Sequence, residues 1–349
     1  MSRRRKQGLT PIGELFTPKL IREITRSSGP TPIQQRLIDA ATAPVEDPEQ
    51  RSILYQHSIL CQTYLPYRDP GDKREWERLN GDVHLEVRAG KAMDPKQRRL
   101  VQLGLPYGPK CRLVLMCINQ LALFAQSPHI EIEDSLTAFV RRILKLDPKG
   151  RNIREVKDQL ARLQASDITL GLISDCPDGT EAGTRYIRIV EGFNVWFPKD
   201  ERQRVLWPSV VDLSAHYFET LMSHAVPLHE THIAALSHSG LALDIYAWLA
   251  QRLHRIPAGK PAFVSWTALH SQFGQGYNPE RMDKFRQTFR VALKQVLALY
   301  KGARITEEKR CPPTLRIEDG KHVWRERAAK GLTLHNSPPP VARRFVTGS

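Results

Sequence analysis

The sequence predicts an α+β chain, mainly α, with two tandem winged-helix domains, each a helix-turn-helix followed by a β-hairpin wing. They follow an N-terminal extension expected to be partly disordered. Three observations carry this reading. The order helix, strand, helix, turn, helix, strand, loop, strand runs through residues 105–197 and recurs over residues 205–318. The chain holds 52 Lys and Arg against 37 Asp and Glu, a net charge of +15. That charge gathers around the second helix of each pair. Residues 141–162 hold eight basic and three acidic residues, and residues 279–310 hold nine and four.

The elements follow in chain order. Thr31 and Pro32 suit the cap and first turn of a short helix over Pro32–Ala43. Arg51–Tyr64 reads as an amphipathic helix, residues 66–81 as loop, and Val83–Arg88 as a strand. Pro106, Gly108 and Pro109 mark a turn into a buried helix over Lys110–Ala125. His129–Glu133 alternates like a strand. Asp134 or Ser135 can cap a helix over Leu136–Leu146, whose Leu136, Phe139, Val140, Ile143 and Leu144 repeat at helical spacing. After the turn Asp147-Pro-Lys-Gly150, the helix Asn152–Ala165 carries the stripe Ile153, Val156, Leu160 and Leu163. Strands are expected over 168–173, 185–190 and 192–197, with a Gly/Asp/Pro-rich loop over 174–184.

In the second half, Val205–Ser214 reads as extended, and Tyr217–Met222 leads into a short helix near His229–Leu236. A long apolar helix spans Gly240–Leu253, and a short strand Ala262–Trp266. Thr267 is the expected cap of a helix over Ala268–Phe273. Gly274–Pro279 turns into the helix Pro279–Tyr300, and Arg304–Glu307 with Thr314–Glu318 would close the hairpin. The domain boundaries that result are an extension at 1–95, winged helices at 96–200 and 204–320, and a tail at 321–349. The halves share element order but no identity-level repeat.

A basic surface of this size attracts polyanions, foremost nucleic acid. The rival is a membrane, but the longest apolar runs, such as Leu113–Ile118, are far too short to span one. The five cysteines are scattered and form no CxxC, as expected of free thiols in a cytoplasmic protein. The stretch Met1-Ser-Arg-Arg-Arg-Lys6 lacks an apolar segment behind it and reads as a solubilising tail, with a backbone-gripping arm as the alternative.

A helix-turn-helix sets its second helix in the major groove, and Arg, Lys, Asn and Gln on its outer face match base edges and phosphates. The candidate DNA contacts are therefore Arg151, Arg154 and Arg162 in the first module. In the second they are Arg281, Lys284, Gln287, Thr288, Arg290 and Lys294. Gln287 and Thr288 are placed to read bases, and Lys284, Arg290 and Lys294 to grip phosphates. The bland alternative for each face is a solvated helix surface. No catalytic, cofactor or metal site is expected. His229-Glu-Thr-His232, near His224 and His238, lacks the HExxH spacing and reads as a polar helix surface. The chain has no phosphate-cradling GxxxxGK[ST], no GxSxG elbow and no His-apolar-His pair for a nicking metal. Glu131, Glu133 and Asp134 fit an edge strand. Trp196, Trp207, Trp248 and Trp266 lie in apolar patterns and read as core.

Several stretches resemble the plasmid-encoded RepA replication initiators of proteobacteria. They are Ile59-Leu-Cys-Gln-Thr-Tyr-Leu-Pro-Tyr-Arg68, Leu103-Gly-Leu-Pro-Tyr-Gly-Pro-Lys110 with Arg112-Leu-Val-Leu, Ser135-Leu-Thr-Ala-Phe-Val140 and Lys157-Asp-Gln-Leu-Ala-Arg-Leu163. The second half adds Ala242-Leu-Asp-Ile-Tyr-Ala-Trp-Leu249, Arg252-Leu-His-Arg255 and Ser265-Trp-Thr-Ala-Leu-His-Ser-Gln-Phe-Gly274. The pattern departs at Lys145-Leu-Asp147, where relatives tend to carry a glycine. The resemblance implies a cytoplasmic, non-enzymatic protein that binds repeated sites in double-stranded origin DNA and opens an adjacent A·T-rich segment. It implies as partners the host replication initiator and replicative helicase, and a homodimer in some states. The alternatives are a winged-helix transcriptional autorepressor and, third, an origin nickase or primase.

Overall fold

The computed structural model describes residues 30–43, 53–81, 83–94, 98–131, 140–141, 150–176, 179–186, 189–193, 210–308, 314–318, 321–325 and 331–340. The basic N-terminus, the helix expected over Leu136–Leu146, Lys145–Asp147, Glu133, Asp134, Trp196 and Trp207 lie outside them, apart from Val140 and Arg141.

Along the chain the elements are α1 (Pro32–Thr42), β1 (Ile53–His57) with a 3-10 turn at Ser58–Cys61, β2 (Glu75–Asn80), β3 (Val83–Arg88), β4 (Lys91–Asp94) and β5 (Arg99–Gln102). There follow α2 (Gly108–Ala125), β6 (His129–Glu131), α3 (Gly150–Ala165), β7 (Asp167–Cys176), β8 (Gly179–Tyr186), β9 (Val190–Phe193) and β10 (Val210–Leu213). The rest are α4 (Ala215–His224), β11 (Ala225–His229), α5 (Glu230–Leu236), α6 (Gly240–Arg252), β12 (Ala262–Ser265), α7 (Trp266–Phe273), α8 (Met282–Leu299), β13 (Ile305–Glu308), β14 (Thr314–Glu318), β15 (Lys321–Arg325) and β16 (Gly331–Leu334). The protein is thus a mixed α and β chain. It divides into two compact units, Ala43–Trp248 with Val341–Ser349, and Met1–Thr42 with Leu249–Pro340.

In the first of these units α2 is the central helix. Leu113, Val114, Leu115, Met116, Cys117 and Ile118 are all buried, so it is covered around its circumference and not on one stripe. An antiparallel sheet runs β2-β3-β7-β8, and a smaller one β6-β10-β9. In β3, Val83, Leu85 and Val87 point inward between half-exposed or exposed neighbours, the alternation of a strand with one covered face. Residues 53–94, expected to be an extension, are built into this unit: β1 pairs with β11, and β3 with β7.

Three expectations fail here. Arg51–Tyr64 is no amphipathic helix. Its Ile53–His57 portion is a strand with every residue buried, and a run covered on both faces shows no period-2 signal. Residues 66–81 contain β2, whose one buried side chain is Trp76, held by Nε1 donating to the Tyr64 carbonyl at 2.8 Å. The expected loop at 174–184 is largely the β7–β8 ladder.

In the other unit, Thr31 Oγ1 accepts from Gln34 N at 3.3 Å while Gln34 Oε1 accepts from Thr31 N at 2.9 Å, a reciprocal cap that starts α1. The sheet order is β12-β16-β13. The expected hairpin of Arg304–Glu307 with Thr314–Glu318 does not form. Instead β13 pairs with β16, and β14 with β15. The segment placed in the tail therefore supplies the central strand of this sheet. Gly331 makes that possible: a Cβ there would lie 2.4 Å from the Val264 carbonyl oxygen and 2.5 Å from the Phe263 ring. Ser265, and not Thr267, caps α7, its hydroxyl accepting from Ala268 N at 3.1 Å.

Candidate nucleic-acid interface

The helix pair α7–α8 is set by an aromatic cluster. Trp266 meets Phe285 and Phe289 edge to face at centroid distances of 6.3 and 5.6 Å, and Phe273 meets Phe289 at 5.3 Å. Trp266, Phe273, Phe285 and Phe289 are fully buried, so α8 has one fixed rotation about its axis. Between the helices, Gly276 takes a φ of 86°, the left-handed region that glycine enters without penalty. Asn278 then accepts from Glu280 N at 2.9 Å and opens a 3-10 turn, Pro279–Arg281, ahead of α8.

That rotation turns Asp283, Lys284, Gln287, Val291 and Lys294 to solvent, with Arg281 exposed just before the first turn. Among the described residues neither Lys284 nor Lys294 has an ion-pair partner. Thr288 is half-buried, and its hydroxyl donates to the Lys284 carbonyl at 3.1 Å. Arg290 lies lower on the same helix and is engaged. It donates to Glu307 through Nη2 to Oε1 at 2.7 Å and through Nε to Oε2 at 3.0 Å, and stacks over Trp266 at 5.1 Å. Arg286, which sequence reasoning passed over, also lies over Trp266, at 6.0 Å. Its position between the apolar stripe and the outer face is the signal that was available.

On α3, Val156, Leu160 and Leu163 are buried as the stripe required. Arg151, Arg154 and Asp158 are exposed. Arg151 pairs with Glu155 at 2.7 Å, and Lys110 Nζ also donates to Glu155 and, at 2.7 Å, to Asn152 Oδ1. The Lys110 hydrogen bond, with Arg151 adding to it, holds the Glu155 carboxyl below the usual carboxylate range. Arg162 is drawn inward. It pairs with Asp158 at 2.9 Å, donates to the Leu105 carbonyl at 3.2 Å, and lies over the Tyr107 ring at 5.0 Å. The face of α3 thus spends much of its positive charge internally, whereas α8 presents Lys284 and Lys294 outward.

The histidines sort differently. His229 and His232 stack at 4.4 Å, and the Tyr246 hydroxyl lies 3.0 Å from His232 Nδ1. The pair is therefore packed and half-buried, not a polar surface. Glu131 lies on β6, an edge strand of its sheet, as expected. No group of three or more His, Cys, Asp or Glu able to hold a metal occurs among the described residues. Trp248 and Trp266 are core. No helix among the described residues is long and apolar enough to cross a membrane.

Residues 105–268 match the family model described as plasmid encoded RepA protein, which bears out the resemblance over that stretch. The match ends inside α7, before α8. Among curated proteins none matches. The solved structures similar to this chain include two of RctB. A crystal structure of the RctB domains 2-3 has 12% identity and a TM-score of 0.46, over 80% of this chain and 96% of that one. One of selenomethionine derivatives of domain 2 and domain 3 of RctB has 11% identity and a TM-score of 0.47, over 78% and 95%.

Proposed function

We propose that this chain, which carries the plasmid encoded RepA region at residues 105–268, is a cytoplasmic replication initiator that binds repeated sites in duplex origin DNA. It acts by binding and distorting DNA, without enzymatic activity, through two winged-helix-like modules, and hands the opened origin to the host initiator and helicase. The observation that carries the reading is the outer face of α8: Lys284, Gln287 and Lys294 exposed on a helix whose rotation is locked by buried aromatics. Cations on such a face neutralise phosphates, and a glutamine between them matches an adenine edge. The β12-β16-β13 order, with β14–β15 as a separate hairpin between β13 and β16, supports a wing beside that helix. On α3, Arg151 and Arg154 make the second, weaker contact.

The experiment is binding of the full chain to duplexes from the DNA flanking its gene, against scrambled duplexes at matched salt. Preference for the flanking repeats, with a steep salt dependence, is the expected result. Equal affinity for both duplexes would sink the reading. A plasmid that still replicates without the gene would leave the protein an autorepressor.

A further inference from the structure

The β4–β5 hairpin holds an apolar pair in water. Register sets Met93 opposite Leu100, so both side chains share one face of the ladder, and they are 63% and 59% exposed. Lys91 lies on the same face two residues from Met93 and is exposed, as are Arg98 and Arg99 where the chain returns. On the opposite face Ala92 and Val101 are half-buried, which gives the hairpin an inner and an outer side.

The hairpin is firmly rooted. Gln102 Nε2 donates to the Gly90 and Ala89 carbonyls at 2.8 and 3.0 Å, and Leu103 N donates to the Gly90 carbonyl at 3.0 Å. Arg74 Nη1 donates to the Leu103 carbonyl at 3.1 Å. A Cβ on Gly90 would lie 1.9 Å from the Ala165 carbonyl oxygen, so the root is pressed against the C-terminal end of α3. An isolated two-stranded hairpin is marginal in water, and this one keeps its most apolar pair on the outside.

We propose that β4–β5 is a DNA arm, in which Met93 and Leu100 form a wedge that enters the minor groove and partly unstacks a base step. The neighbouring cations Lys91 and Arg98 hold the phosphates on either side. Unbranched and γ-branched apolar side chains serve as such wedges where proteins kink duplexes, and pyrimidine–purine steps yield most readily. Charge selects this occupant. A second copy would bring two sets of Lys91 and Arg98 together around a small apolar contact, whereas duplex DNA offers apolar base faces between rows of phosphate. The inference rests on the proposed function and adds to it a device for distorting the DNA that the helices bind.

The test uses the full chain and short duplexes end-labelled for energy transfer, with 2-aminopurine at a TA step. One duplex carries the flanking repeats, and one is scrambled. Wild-type binding to the repeats should raise both energy transfer and 2-aminopurine fluorescence. The double variant Met93→Ser, Leu100→Ser should bind within about 10-fold of wild type yet lose most of both signals, because the phosphate contacts remain. Met93→Phe, a larger wedge, should keep them, and netropsin in the minor groove should abolish them. If the double variant misfolds, Arg98→Glu is read instead and should lower both signals. Wild-type signals in the serine variant, or a change in its sedimentation with bending intact, would overturn the arm and leave a protein contact in its place. Failure of the wild-type chain to bind either duplex would overturn the proposed function, and the arm with it. Binding without bending or unstacking would overturn the arm alone.

Discussion

Arg112 and Asp244 form a buried two-pronged ion pair joining α2 to α6, Nε to Oδ1 and Nη2 to Oδ2, each at 2.7 Å. The remaining donors of the guanidinium reach the Gly108, Pro66 and Leu65 carbonyls at 2.8, 3.2 and 2.6 Å. Every N–H of the arginine is therefore used. Burial pushes the Asp244 carboxyl up, and Arg112 pulls against that. Three of the stretches that resemble RepA proteins, around residues 59–68, 103–115 and 242–249, meet at this pair. Their shared residues report a fold and not a chemistry.

Removing one partner leaves an uncompensated buried charge or orphaned carbonyls. Arg112→Met or Asp244→Leu should each destabilise the unit by about 3–5 kcal/mol, whereas Arg112→Met with Asp244→Leu should cost less than the two single changes together. Denaturant midpoints of the four chains check this. Additive losses would show that the pair is not coupled.

On α8, Lys284→Ala and Lys294→Ala should each weaken binding to every duplex alike and lower the log–log salt slope by about 0.9. Gln287→Ala should leave the slope alone and relax discrimination at one base pair by about 1–3 kcal/mol. Titrations at several salt concentrations, with single-base-pair substitutions, separate the two effects.

Arg162 and Arg290 should behave as packing residues. Arg162→Ala and Arg290→Ala lose stacking on Tyr107 and Trp266 and the hydrogen bonds to Leu105 and Glu307. Thermal midpoints should fall for both. Arg151→Ala, at an exposed ion pair, should hardly move its midpoint. A lowered salt slope without a lowered midpoint for Arg290→Ala would place that residue on DNA instead.

His57 makes the first unit acid-sensitive. Burial, with His224 adding to it, lowers its pKa to about 4 from 6.5, and its ring stacks on Tyr217 at 5.6 Å. The unfolded chain takes up a proton near pH 6.5 that the folded chain refuses until about pH 4. Stability is therefore full above pH 6.5 and falls as the pH drops toward 4, by up to about 3 kcal/mol. Denaturant midpoints of wild type and His57→Gln, compared at neutral and acid pH, test it. An equal acid loss in both would place the effect elsewhere.

The sequence by itself determined the elements whose signal is local. The Thr31 cap, the turn into α2, the stripe of α3 and the apolar faces of α6 and α8 each rest on residues close together along the chain. Helical periodicity therefore also determined which residues of α8 face outward. Tertiary structure decided whatever depends on distant partners. A strand buried on both faces, such as β1, becomes distinct from a helix only when β11 arrives. The central strand of the second sheet, β16, is adjacent to β12 only in space, and Gly331 is what admits it. The same holds for charge. Arg162, Arg290 and Lys284 look alike along the chain. Only the positions of Asp158, Tyr107, Glu307 and Trp266 decide that the first two turn to the protein while the third is left facing solvent.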